Sequence, residues 1–294
     1  MRAFLLLFVL INSQFQLAKA EIFETESIEN LYPYITCDSL VIFDFDNTLV
    51  DTTEPLGSKH WRDWIRIRVA KMENEEDIPK LLIAKHLTNL ARFIIPMRPM
   101  EGAKTTNLIK ALKENNTPFL ILTARTKDFL DTVTDGFAKA SLKQLRSSGI
   151  EIPAIEDLKD SSIYEGILFT CEQEKGPFLV QTFKENNYFP KRILFLDNSL
   201  ENIKSVEGAL ARLGIESFTF HYTYLNPKWQ NFDPLVANIQ LEVFLKEGRV
   251  PHEDEARRIK ATLKEQDAEI HFKHLIQAHY QTIIKQSFIK SRTD

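Results

Sequence analysis

Three runs rich in β-branched and aromatic residues constrain this chain more than any other feature. They are 39–46 (Ser-Leu-Val-Ile-Phe-Asp-Phe-Asp), 119–123 (Phe-Leu-Ile-Leu-Thr) and 192–197 (Arg-Ile-Leu-Phe-Leu-Asp). A strand with one wet face alternates apolar and polar residues, and these do not alternate, so each predicts a strand covered on both faces, as in a parallel sheet. Between and after them, apolar residues recur at helical spacing over 103–115, 126–147, 177–186 and 200–213, and a further strand is expected at 217–224. Strands alternating with helices of this length predict βαβ units and an α/β fold with a doubly wound parallel sheet.

The spacing changes over 59–95, where two helices are expected. Trp61, Trp64, Ile65 and Val69 mark the first; Ile78, Leu81, Leu82, Leu90 and Ile94 mark the second; Pro96 and Pro99 close the segment. A helical insertion directly after the first long strand hangs over that strand's carboxyl end, where open α/β sheets bind their ligands. The predicted organisation is a leader at 1–20, a core at 21–245 with the insertion at about 55–96, and a charged helical extension at 246–294 packed on the core. The segment 21–34 reads as short and polar.

Composition narrows the class of function. The chain is 44% apolar and 27% charged, a globular balance over 294 residues. Arg2, the apolar run from Ala3 to Ile11 and the small residues of Ala18-Lys19-Ala20 read as a secretory signal peptide, which predicts a secreted or periplasmic protein. Its removal takes away two of 37 basic residues and none of 41 acidic ones, changing the net charge from −4 to −6. A net acidic chain without a Lys/Arg stripe offers little attraction to nucleic acid or to an anionic membrane surface. No later apolar run approaches the ~20 residues of a spanning helix, so no stable membrane insertion is expected. Cys37 and Cys171 are predicted near opposite ends of the fold, which argues against a bridge between them.

Each apolar run ends on a polar side chain that a core strand does not require. In Phe43-Asp44-Phe45-Asp46-Asn47-Thr48, period two along the strand directs Asp44 and Asp46 to one side. Two adjacent carboxylates are tolerated chiefly where a cation or a shared proton lies between them. Capping of a following turn by Asp46, Asn47 and Thr48 is the alternative, and it leaves Asp44 unexplained. Thr123 by itself reads as a satisfied strand end, and Lys175 by itself as a solvated lysine.

Taken in order, these residues resemble the four motifs of the haloacid dehalogenase (HAD) superfamily. Asp44-x-Asp46-x-Thr48 matches the first motif, Thr123 the second, Lys175 at the start of a helix the third, and Asp197 the fourth. The ordered set spans 40–205 and, with the leader, is similar to that of secreted bacterial HAD-like phosphatases of largely uncharacterised type. The resemblance implies a Rossmann-like core with a small helical cap and a phosphomonoester hydrolase working through an aspartyl phosphate. In that scheme Asp44 is the nucleophile and Asp46 the proton donor and later the base. Thr123 and Lys175 bind phosphate, and Asp44, Asp197 and the backbone carbonyl of Asp46 hold Mg²⁺.

The chain departs from the pattern at Asn198, where many members carry a second acid; Glu201 is the nearest replacement. Retention of Asp46 favours a phosphate ester over a carbon–halogen bond, because halide leaves without a proton. A small phosphorylated substrate is expected. The rival readings are a catalytically weak or inactive binding module and a phosphotransferase to an alcohol. Arg125 is left between substrate contact and a surface ion pair, and His60, Trp61, Trp64 and Arg98 are left outside the catalytic set.

Overall fold

A computed structural model describes residues 20–70, 87–88, 91–128, 136–225, 231–264 and 266–289. The expected leader up to residue 19, Ile78, Leu81, Leu82 and Leu90 of the second insertion helix, residues 129–135 of the helix expected at 126–147, and the last residues of the extension lie outside the described residues, while 126–128 are not helical.

The strands are β1 (Ala20–Thr25), β2 (Ser39–Phe43), β3 (Val50–Thr52), β4 (Met97–Pro99), β5 (Phe119–Thr123), β6 (Ile163–Tyr164), β7 (Ile167–Phe169), β8 (Arg192–Asp197) and β9 (Glu216–Tyr222). The helices are α1 (Lys59–Ala70), α2 (Ala103–Glu114), α3 (Gly136–Ser147), α4 (Lys175–Glu185), α5 (Leu200–Leu213), α6 (Pro234–Glu247), α7 (Glu253–Thr262) and α8 (Ala268–Ile289). Seven strands form one sheet in the order β1-β9-β8-β2-β5-β7-β6, parallel throughout except for the terminal β6–β7 hairpin.

Period two explains the layers. Along β2, Val41 and Phe43 face one side, where they pack with Leu108, Ile109 and Leu112 of α2 and Ala138, Leu142 and Leu145 of α3. Leu40 and Ile42 face the other, with Leu179 and Phe183 of α4 and Ile203, Val206 and Leu210 of α5. All four β2 side chains are fully buried, each stabilising the fold by roughly 1.5–3 kcal/mol. Helices on both faces of a mostly parallel sheet give the expected α/β class. The segment 21–34, read from its sequence as polar, opens on a strand: β1 pairs in parallel with β9 at the sheet edge, and Phe23 stacks on Phe220.

β3 and β4 pair antiparallel and frame the insertion, Thr52 opposite Met97. The buried side of α1, Trp61 and Ile65, shares a cluster with Leu87, Ala91 and Ile95, with Ala237 and Leu241 of α6, and with Phe272, Leu275 and Ile276 of α8. Polar ties fix the same contact: Trp61 Nε1 donates to Asn238 Oδ1 at 3.0 Å, and Leu56 N donates to Gln240 Oε1 at 2.9 Å. In the extension, α7 packs on α6, and α8 packs on α6 and on the insertion together. No helix among the described residues is long and apolar enough to cross a membrane.

Candidate active site

Because β8, β2 and β5 are adjacent and parallel, their carboxyl ends lie side by side. Phe43 pairs with Leu196 of β8 and with Ile121 of β5, so Asp44, Asp197 and Thr123 all fall at one rim of the sheet. Asp44 N donates to Leu196 O at 2.9 Å, which continues the ladder by one residue.

The third element arrives from below. Lys175 is the first residue of α4, and its Nζ lies 2.5 Å from Asp44 Oδ1 and 2.7 Å from Asp197 Oδ2. The lysine is 1% exposed and Asp197 is fully buried, so the three form a closed ionic group and not a surface pair. The close approach of α4 to α5 sets this position: at Gly176 a Cβ would stand 2.1 Å from Ser205 O. The remaining carboxylate oxygens are also held. Thr48 Oγ1 donates to Asp44 Oδ2 at 3.0 Å, Ser199 N to Asp197 Oδ1 at 2.7 Å, and Asn202 Nδ2 to Asp197 Oδ2 at 2.9 Å.

Two carboxylates and one ammonium leave one excess negative charge in a buried place. Burial first, then the charge of Asp197, pushes the Asp44 carboxyl up to about 7 against the pull of Lys175. The Lys175 ammonium is raised, because its two carboxylates outweigh its desolvation. Among the described residues, no group of three His, Cys, Asp or Glu gathers as a metal site. Two convergent carboxylates with an uncancelled charge nevertheless fit Mg²⁺, which commonly takes one or two protein carboxylates and fills its remaining positions with water and substrate phosphate.

Asp46 parts from this group. β2 ends at Phe43, and residues 44–49 turn: Leu49 N and Val50 N both donate to Phe45 O, and Asn47 adopts φ +64°. Strand alternation therefore no longer directs Asp46 alongside Asp44. Its carboxylate accepts two bonds from Arg125, Nε to Oδ2 at 2.9 Å and Nη2 to Oδ1 at 2.7 Å. Arg62 Nη1 of α1 lies 3.9 Å from the same carboxylate. Burial works to raise Asp46, but Arg125 and Arg62 together hold it well below the usual carboxylate range. In this arrangement it has no proton to give.

Arg125 is positioned on every side. It is 3% exposed; Nη1 donates to Ser141 Oγ and Gln144 Oε1, each at 2.8 Å, and its Cζ stacks 3.6 Å from the Phe45 ring centroid. The surface ion pair allowed for it at the sequence level is thereby excluded. Thr123 is buried and accepts Arg125 N at 3.3 Å. Glu201 is exposed, and Asn202 is the α5 side chain that reaches Asp197. Trp61 is core, and Trp64 packs edge-on against Phe272. Cys37 and Cys171 are exposed and unpaired. A cavity of about 120 Å³ lies elsewhere, between Thr53–Ser58 and the start of α6, and takes no part in this cluster.

Asn202, Ser141 and Gln144 escaped the sequence reading, since each looks like an ordinary helix residue. So did Arg62 and Arg92, which only the folded insertion brings near Asp46. A family model described as a protein of unknown function (DUF2608) matches residues 24–249. No curated protein matches the chain.

Proposed function

The chain belongs to that family of unknown function, and we propose that it is a Mg²⁺-dependent phosphomonoester hydrolase of the HAD kind, acting outside the cytoplasm as its leader-like start implies. The observation that carries this reading is the bridge of Lys175 between Asp44 and Asp197 at adjacent strand ends, with Thr123 on the neighbouring strand. Three of the motif residues, from three segments of the chain, bond directly, and Thr123 ends the strand beside them.

In this reading a carboxylate oxygen of Asp44 attacks phosphorus, the P–O bond to the alcohol breaks, and an aspartyl phosphate forms. Water then attacks the same phosphorus, the P–O bond to Asp44 breaks, and inorganic phosphate leaves. Lys175 and the Thr123 hydroxyl stabilise charge on the phosphoryl oxygens. Thr48 and Asn202 fix the carboxylates by the hydrogen bonds described above. Mg²⁺ held by Asp44, Asp197 and the Asp46 carbonyl would supply the positive charge that lets carboxylate and phosphate approach. Asp46 is assigned the proton for the leaving alcohol; to deliver it, Asp46 has to part from Arg125 first.

The clamped Asp46 favours one second reading, a binding module that keeps the fold without turnover. Hydrolysis of an aryl phosphate by the full chain lacking its leader, with and without Mg²⁺, decides between them. The hydrolase reading expects metal-dependent turnover that Asp44→Asn lowers by at least about 10³-fold. Negligible turnover by both proteins across a broad ester panel overturns it. Acceptor alcohols added to the assay separate transfer to alcohol from transfer to water.

A further inference from the structure

Three guanidiniums crowd one carboxylate above the rim of the sheet, Arg125 buried and Arg62 and Arg92 largely so. Arg62 comes from α1, Arg92 from the helical residues 91–94, and Arg125 from the end of β5, so two of the three belong to the insertion. Asp46 cancels one charge and leaves two. Buried cations without partners are costly, and a folded protein keeps them chiefly where something else balances them.

The hydrogen bonds tell the same story as the charge. Arg125 uses four donor contacts on Asp46, Ser141 and Gln144. Arg62 Nη1 and Arg92 Nε, by contrast, are buried with no hydrogen-bond partner among the described residues. Arg62 is drawn to Asp46 only at 3.9 Å, beyond hydrogen-bond reach. Burial, then Arg62 and Arg125, hold the Arg92 guanidinium below its ordinary value, against Asp46 and a smaller pull from Glu172. Arg62 is likewise lowered by burial. Arg62 Nη1 thus stands near a carboxylate whose two oxygens are already taken by Arg125.

We propose that Arg62 and Arg92 form a subsite for a second anionic group on the substrate, so that the ester taken by this protein carries a carboxylate or a second phosphate beside the scissile phosphoryl group. The inference rests on the hydrolase reading for the word substrate, and on the arginine cluster alone for the anion. Guanidinium N–H groups in a fork suit either anion, since both offer paired oxygens. The subsite also connects with Asp46. A second anion drawn in by Arg62 and Arg92 brings an alternative acceptor close to Arg125, the contact from which Asp46 has to part.

The test compares esters of matched carbon chain with and without a second anionic group. Phosphoglycolate is set against ethyl phosphate, and 3-phosphooxypropanoate and propane-1,3-diyl bisphosphate against propyl phosphate; the last two separate carboxylate from phosphate. The expected result is a kcat/KM at least tenfold higher for the doubly anionic member of one pair. That ratio falls towards one in Arg92→Gln and in Arg62→Gln, with Arg92→Lys and Arg62→Lys retaining part of it. No preference in any pair, or a preference that survives both glutamine variants, overturns the subsite. Calorimetric binding of the same pairs to Asp44→Asn separates this inference from the hydrolase reading. A tenfold binding preference lost on adding Arg92→Gln supports the subsite even where no ester is turned over, and equal binding of both members overturns it even where esters are.

Discussion

Arg125 and Arg92 carry the same charge into the same cluster, yet replacing each with methionine is expected to move stability in opposite directions. Arg125→Met removes two short bonds to Asp46 and two to the buried Ser141 and Gln144, together with the stack on Phe45. Bonds to charged groups contribute roughly 1.5–3 kcal/mol each. Relief of repulsion on Arg62 and Arg92 offsets part of the loss, so the net destabilisation is that of one broken buried pair, about 3–5 kcal/mol. Arg92→Met removes a guanidinium whose Nε has no partner among the described residues and whose nearest large influences are burial and Arg62. An apolar side chain of similar length relieves both, so stability stays level or rises by about 1–4 kcal/mol. Urea unfolding of both variants at pH 7 in a chelator, followed by fluorescence and circular dichroism, reads the two signs. A loss in Arg92→Met as large as that in Arg125→Met would refute the excess-charge argument, because Arg92 would then be a paired structural residue.

Further expectations concern pH and packing. The folded pKa of Asp46 is depressed, so its contribution is present above the ordinary unfolded value of about 4 and is lost as pH falls towards the folded one. Asp44 has the opposite sign: raised to about 7, it stabilises most below about 4 and loses that contribution as pH climbs to neutrality. In metal-free protein, Asp46→Asn should flatten the acid side of the stability profile and Asp44→Asn the side between pH 4 and 7; a profile unchanged by either substitution counts against these assignments. Gly176→Ala places a methyl 2.1 Å from Ser205 O, forcing α4 away from α5 and carrying Lys175 with it. Overpacking of this kind costs about 1–3 kcal/mol and should lower turnover at least tenfold; a variant with unaltered melting temperature and rate would show that Lys175 does not depend on that contact.

The central strands were legible because burial on both faces writes an uninterrupted apolar run, and β5 and β8 begin and end where the run does. β1 was missed for the converse reason. As an edge strand it mixes Phe23, which packs, with Glu21 and Glu24, and Ile22 remains 45% exposed, so it reads as polar chain. β6 and β7 are two and three residues long, too short for a pattern. Asp44, Thr123, Lys175 and Asp197 were legible as an ordered set. Lys175 alone carries no local sign of its burial, because that burial comes from carboxylates 131 and 22 residues away. The arginine cluster was not legible at all: 62, 92 and 125 share no spacing, and an Arg in a helical pattern ordinarily faces water. The pairing of Asp46 with Arg125 depends on the turn at Asn47, where strand alternation gives out.

The union of α1 with α6 and α8 bears on the order in which the molecule can be assembled. Everything that makes the rim, from Asp44 to Asp197, has been synthesised before Ala237, Leu241 and Phe272 exist to cover Trp61 and Ile65. At about 5–20 residues per second, a nascent chain would hold that indole and its neighbours bare for on the order of ten seconds or more after they are made. The floor of the rim can be laid early, but its roof has to wait for the tail.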